Sequence, residues 1–329
     1  MTRVGANLSL AALLLAVACR GSAERVFERA AAAPSFVGLT ETPLCAVAIT
    51  DTGAAACFAT DGELTWKAEV CRPVRHRPAV IGGTLWVACD NGEWSAVDVK
   101  TGKPRWKLPG RRVPGAALVS DGLHGFIASP DGTVEAVDET GTHLWTRADA
   151  GTRLAAAGEA VIVSGDRGIA AFQAGTGDRL WADEKPAVGL AGSDELVVAA
   201  RAAGDLAAFD LQSGALRWGV TLGAFAPDTL AIAGDRVSVG LQRGDVVELA
   251  TVDGTEKQRF TLPAPLAAPV RGGVAVLQGR EGCAAVLGTP QTICVDHQLR
   301  GGAVVKDGVV MLAPRDGRVL GYKLKTAAP

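Results

Sequence analysis

The stretch Gly92–Trp106, GEWSAVDVKTGKPRW, reads as a strand, a turn and a returning strand. Trp94, Ala96 and Asp98 alternate with Ser95 and Val97, the period of two that sends successive side chains to opposite faces of a strand. Lys100-Thr101-Gly102 supplies a turn in which glycine can take a positive φ, and the chain returns from Pro104 through Trp106. The same pattern recurs as GTVEAVDETGTHLW (Gly132–Trp145), GIAAFQAGTGDRLW (Gly168–Trp181) and GDLAAFDLQSGALRW (Gly204–Trp218), with a weaker copy, GAAACFATDGELTW, at Gly53–Trp66. In each a tryptophan stands four residues after the turn glycine: Gly62/Trp66, Gly102/Trp106, Gly141/Trp145, Gly177/Trp181 and Gly214/Trp218. Degenerate copies follow around Gly244–Phe260 and Gly282–Cys294, and a last one, GRVLGYKLKT from Gly317, stops before its tryptophan.

The glycines that open the third strand of each unit fall at 53, 92, 132, 168, 204, 244, about 282 and 317, roughly 35 to 40 residues apart. The second unit is predicted to hold strands over 77–81, 84–89, 93–98 and 104–108, and the third over 116–120, 125–129, 133–138 and 143–147. Gly82-Gly83, Asp90-Asn91-Gly92 and Ser120-Asp121-Gly122 are the turns between them. Four-stranded antiparallel sheets repeated in tandem at this period form a β-propeller, because packing the sheets around an axis buries faces that a lone sheet would expose. Eight blades are expected, or seven if the unit around Cys283 is not a blade. The last unit lacks a fourth strand. Arg25–Glu28 is expected to supply it, with Phe27 in the tryptophan slot and Ser35–Leu39 opening the first unit, so that the chain ends close the ring.

Trp66, Trp106, Trp145, Trp181 and Trp218 are expected to pack between neighbouring blades, since a residue at one register of every unit is distributed around the ring rather than gathered at a site. Asp98, Asp138 and Asp210, just before the turn, suit an Asx role; Gln173 takes that place in another copy, so no charge is required there.

The chain has 329 residues, 48% of them hydrophobic, which is ample for a core, and 41 glycines, which suits many tight turns. A net charge of −2 leaves no global basic field for nucleic acid. Residues 1–18 read as a signal peptide, with Arg3 and then an apolar run, Leu8–Val17, too short to span a bilayer. Leu15-Ala16-Val17-Ala18-Cys19 resembles a lipobox, which would lipidate Cys19 and make 19–24 an anchor and linker before a propeller over 25–329. Ala16-Val17-Ala18 also suits ordinary signal peptidase, which would leave a soluble periplasmic protein. The six remaining cysteines, an even set in an exported chain, suggest disulfides. Cys45 and Cys57 are symmetric about one turn and Cys283 and Cys294 about another; Cys71 and Cys89 are left to pair with each other.

Over about residues 25 to 325 the repeat G-x-x-x-A-x-D-x-x-[TS]-G-x-x-x-W resembles that of the pyrroloquinoline-quinone (PQQ)-type propellers. Two families share it: the quinoprotein dehydrogenases, and the BamB family of outer-membrane barrel-assembly lipoproteins. The dehydrogenase resemblance would imply a quinone, Ca²⁺ ligands and, in many members, vicinal cysteines. No two cysteines are adjacent here, His76, His124, His143 and His297 show no metal-ligand spacing, and no oxygen-rich cluster stands outside the turns. Gly-x-Ser-x-Gly, His-Glu-x-x-His and P-loop strings are likewise missing from the sequence. The BamB resemblance implies no catalysis and no cofactor. It implies a monomeric scaffold on the periplasmic side of the outer membrane that binds the barrel-assembly core protein through loops on one propeller face, its only membrane attachment a lipid. A quinone-dependent oxidoreductase, or a quinone- or sugar-binding propeller, is the alternative. The Leu-x-Leu-Arg contact loop of the scaffold family has no match; Thr152-Arg153-Leu154 occupies a comparable stretch, and six cysteines exceed the family's usual number. Arg72, Arg75 and Arg77 in one inter-blade loop, with Arg111 and Arg112 in the next, are the candidate partner surface, a local basic patch on the face where fourth-to-first and second-to-third strand connections emerge.

Overall fold

The computed structural model describes residues 23–30, 36–109, 118–148, 150–226, 229–279, 282–288 and 291–324. They form seven four-stranded sheets and one three-stranded sheet, all antiparallel and each built from consecutive strands except the four-stranded sheet that pairs Glu24–Ala30 with Arg318–Lys323. Strands are named A to D from the axis outward. Blade 2 runs Ala79–Ile81, Thr84–Ala88, Trp94–Asp98 and Pro104–Leu108, within two residues of the sequence expectation. The A strands of successive blades touch one another, as Phe36–Glu41 touches Leu299–Lys306 and Arg153–Ala157 touches Gly189–Gly192, and so form the innermost ring.

Burial follows from position in the blade. Each B strand lies in mid-sheet with a neighbour on both faces, and Ala46–Thr50, Thr84–Ala88 and Leu196–Ala200 are buried at every residue. That is why those segments read as apolar runs and not as alternation. D strands form the outer edge. Leu64–Glu69 buries Trp66 and leaves most of the rest to solvent, and charges such as Lys103, Arg105 and Lys107 protect the edge from pairing with other chains.

The hydrophobic core is divided among the blade interfaces. Eight buried clusters are found among the described residues, each drawn from two adjacent blades. One of them joins Phe36, Leu39 and Phe58 of blade 1 to Val304, Val309 and Met311 of blade 8 and to Phe27. This closes the ring and decides for eight blades over seven. Closure is made by Glu24–Ala30, which pairs antiparallel with Arg318–Lys323 as the D strand of blade 8. In blade 7 strands B, C and D are Val274–Val276, Gly282–Val286 and Thr292–Val295. Its A strand is reduced to isolated bridges, Leu266 to Leu277 and Arg271 to Val274, along a stretch carrying Pro263, Pro265 and Pro269. Proline has no N–H to give a ladder.

The C–D hairpins carry a feature that the alternation did not predict. The register slips by one residue at the same place in six blades, between Ala96 and Val97 in blade 2 and between Ala208 and Phe209 in blade 5, for example. This bulge goes with a turn whose glycine sits at positive φ, +67° for Gly102 and +69° for Gly214.

Candidate functional site: a cleft at the first blade junction

The repeated tryptophans hold blades together. The Trp181 indole donates to the Leu211 carbonyl of the next blade at 2.7 Å and stacks on Phe209 with centroids 5.7 Å apart. Trp66, Trp145 and Trp218 donate in the same way to Val99, Ala174 and Thr251, at 2.7 to 2.8 Å. Trp106 is looser, at 3.4 Å from the Glu139 carbonyl, and packs edge-on against Trp86. The glycine and tryptophan that lie four residues apart in a repeat serve different interfaces. Each indole lies on the turn glycine of the following blade: Trp66 on Gly102, Trp106 on Gly141, Trp145 on Gly177, Trp181 on Gly214 and Trp218 on Gly254. Phe27 lies on Gly62 in the same manner and completes the series at the closing seam.

The turn aspartates act locally. Asp98 Oδ1 accepts from the N–H groups of Lys100 and Thr101 and from the Thr101 hydroxyl, at 2.9 to 3.0 Å, while Arg105 donates to Oδ2 at 2.6 Å. The Arg105 guanidinium, with help from the turn, holds the Asp98 carboxyl down at about 2. Asp210 repeats the arrangement with Ser213 and Arg217 and is likewise pulled below the carboxylate range. A carboxyl that is more acidic in the folded state contributes in full above its unfolded value, about 4, and its contribution fades as pH falls toward 2. Asp98→Asn should therefore cost at most about 1 kcal/mol near neutrality, since the pair is at the surface, and only a small part of that near about pH 2. Urea midpoints of the two proteins that kept the same separation at both pH values would contradict this.

The cysteines pair as Cys45–Cys57, Cys71–Cys89 and Cys283–Cys294, with Cα atoms 5.7, 5.9 and 4.1 Å apart. The first ties the residue just before strand B of blade 1 to its strand C, and the third joins strands C and D of blade 7, a blade with no tryptophan. Cys71–Cys89 is different in kind: it ties the loop leaving blade 1 to the end of strand B of blade 2.

That loop forms one wall of the candidate site. It is anchored by Val74, which is fully buried, and by backbone bonds from Val74 N–H to the Asp51 carbonyl and from Asp90 N–H to the Pro73 carbonyl, both 2.9 Å. The Arg72–Pro73 peptide is cis. Between this loop and the B–C turn of blade 1 lies an open cleft of about 850 Å³, lined by Val37, Asp51, Thr52 and Arg72 through Arg75. Its walls are held by a disulfide, a buried valine and backbone bonds, so a partner would meet a shaped surface and not a mobile loop.

The three described arginines of the expected basic patch do not act as one. Arg72 is exposed at the cleft and has no ion-pair partner among the described residues. Arg75 is exposed but paired with Asp90, which removes much of its field. Arg77 turns away from the cleft rim toward the axis, its stem against Gly38 and its guanidinium against Gly302 of blade 8. Arg111 and Arg112 lie outside the described residues, as does Cys19. Sequence reasoning placed the loop correctly but could not see Asp90 facing Arg75. It also missed a depression of about 510 Å³ on the opposite face, where Asp121, Glu159 and Asp194 stand near His124. Among the described residues no three His, Cys, Asp or Glu side chains are grouped to hold a metal ion, and no helix is long and apolar enough to cross a membrane.

Fold, repeat and interlocking hairpins define an eight-bladed propeller of PQQ-like repeats. The family model for the outer membrane protein assembly factor BamB matches residues 50–167 and 165–328, and the chain belongs to that family. The BamB of Bordetella pertussis is 32% identical over 154 residues, 43% of this chain and 40% of that protein. The BamB of Burkholderia pseudomallei is 29% identical over 173 residues, 48% of this chain and 45% of that one. The aligned stretch thus spans less than half the length of either relative. Among solved structures, BamB from Moraxella catarrhalis superposes with a TM-score of 0.72 at 18% identity, covering 93% of this chain and 99% of that one. A computationally designed protein, Ika8, superposes equally well, with a TM-score of 0.72 at 19% identity, covering 89% and 98%. These likenesses carry the fold alone.

Proposed function

We propose that this chain is a non-enzymatic interaction scaffold of outer-membrane protein assembly, exported and held by a lipid on Cys19 at the periplasmic side of the outer membrane. The observation that carries the reading is the BamB family match along nearly the whole ring. In this reading the eight blades serve as a rigid frame, and the protein partner, the core of the barrel-assembly machinery, docks at the cleft between the Cys71–Asp90 segment and the B–C turn of blade 1. The pinned cleft wall supports that choice of surface, because a pre-shaped loop loses little conformational freedom on binding. Arg72, exposed and unpaired among the described residues, would steer an acidic partner.

The test is purification of the tagged protein from gently solubilised membranes of its own host, with mass spectrometry of what accompanies it. Recovery of the barrel-assembly core is expected. Arg72→Glu combined with Arg75→Glu should reduce it on the order of tenfold at low salt and less at high salt, as for rim charges that act on association. Recovery of no assembly component would overturn the functional reading. Undiminished recovery with the charge-reversed variant would move the docking surface elsewhere.

A further inference from the structure

Arg77 is a cation built into the inner wall of the ring with no counter-ion among the described residues. It precedes strand A of blade 2, and its guanidinium lies against Gly302 on strand A of blade 8, so the side chain runs across blade 1. The space for it is made by glycine. A Cβ on Gly38, on strand A of blade 1, would stand 2.9 Å from Arg77 Cγ, and a Cβ on Gly302 would strike its terminal nitrogen. Gly38 has no positive φ, so its backbone conformation does not call for glycine; clearance for Arg77 does.

The surroundings do not neutralise the charge. Arg77 makes no hydrogen bond or ion pair with the described residues, and the charged group acting on it is another cation, Arg271, on the inner stretch of blade 7. Burial, and then Arg271, lower the Arg77 guanidinium to about 10. The inner strands of blades 1, 2 and 8 present half-buried apolar groups, Val37, Val80 and Val305. A partly desolvated guanidinium beside a like charge and an apolar wall is costly to the free protein, and an incoming anion would remove that cost.

We infer that Arg77, with Arg271, forms an oxyanion-binding site on the inner wall of the ring, one that takes a carboxylate. A guanidinium presents paired N–H donors that match the two oxygens of a carboxylate, and the low polarity of the wall strengthens the pair. The carboxylate can come from a free small acid or from an acidic side chain on a peptide entering the mouth of the ring. The site does not depend on which partner the outer cleft binds.

The experiment uses the purified protein in a buffer of low ionic strength. It is titrated by calorimetry with succinate and, separately, with a short flexible peptide carrying two adjacent glutamates. Saturable binding of at least one is expected, and the tighter of the two identifies the source. Arg77→Met keeps the aliphatic stem on Gly38 and removes the charge; it should weaken binding by at least about tenfold and raise the melting temperature of the free protein. Lys257→Gln, on the exposed outer strand of blade 6, should leave both unchanged. Arg271→Gln, at an exposed side chain, provides a second variant if Arg77→Met does not fold, and should also weaken binding. Absence of saturable binding to either probe would overturn the inference. So would binding that survives both substitutions, or that Lys257→Gln abolishes.

Discussion

Trp181→Ala is expected to destabilise the propeller by about 3–5 kcal/mol, the cost of deleting a large buried aromatic from a packed interface. Three contacts are lost together: burial between blades 4 and 5, the stack on Phe209, and the bond to the Leu211 carbonyl, which would be left without its donor. The partner glycine makes the prediction sharper. A Cβ on Gly214 would stand 2.6 Å from Trp181 Cγ, and its φ of +69° already disfavours other residues. Gly214→Ala should therefore destabilise the protein through both the clash and the backbone. In the double variant Trp181→Ala/Gly214→Ala the indole part of the clash is gone and only the Cβ at position 181, at 2.9 Å, remains, so the two costs should sum to more than the measured loss. Denaturant unfolding of the four proteins would show it; strictly additive losses would mean that the two positions do not form one lock.

Phe27→Ala is expected to cost a comparable amount, about 3–5 kcal/mol, with a distinct consequence. Phe27 lies between blades 8 and 1 on the one strand that joins the chain ends, against Gly62 and Gly321. Loosening it should free Glu24–Ala30 from Arg318–Lys323 and open the ring at this seam before any other. Native-state hydrogen exchange should then accelerate first in Arg318–Lys323 and Phe36–Glu41, with Arg153–Ala157 and Gly189–Gly192 still protected. Uniform acceleration around the ring would show instead that the blades unfold as one unit and that the seam is not its weak point. The exposed edge of Arg318–Lys323 would also be open to pairing with a second molecule, so the variant should aggregate more readily at high concentration.

The period of the repeat, the alternation within Trp94–Asp98, the turn glycines and the place of Phe27 were all legible along the chain, because each is a local property. A strand in mid-blade needs apolar residues on both faces, a tight turn needs a residue that tolerates positive φ, and an outer strand needs one large anchor and a charged edge. These requirements recur with every blade and so are written into the sequence with the same period. The number of blades was less plain, since blade 7 has lost its tryptophan and most of strand A, and only closure of blade 8 onto blade 1 decided it.

That the tryptophans lie between blades was legible; which residues they meet there was not. The repeat shows a glycine and a tryptophan four residues apart and suggests one unit, yet Trp66 meets Gly102 and Trp181 meets Gly214, each in the following blade. The loop Arg72–Arg77 shows three like charges in six residues and suggests one patch. The ring sends Arg75 to Asp90, leaves Arg72 at the cleft, and turns Arg77 inward across Gly38 to Gly302, more than two hundred positions away in sequence. The sequence by itself therefore determined the blade, whose strands and turns depend on near neighbours. The tertiary structure decided the locks and the sites, because charge and packing act through space and the ring brings together residues from opposite ends of the chain.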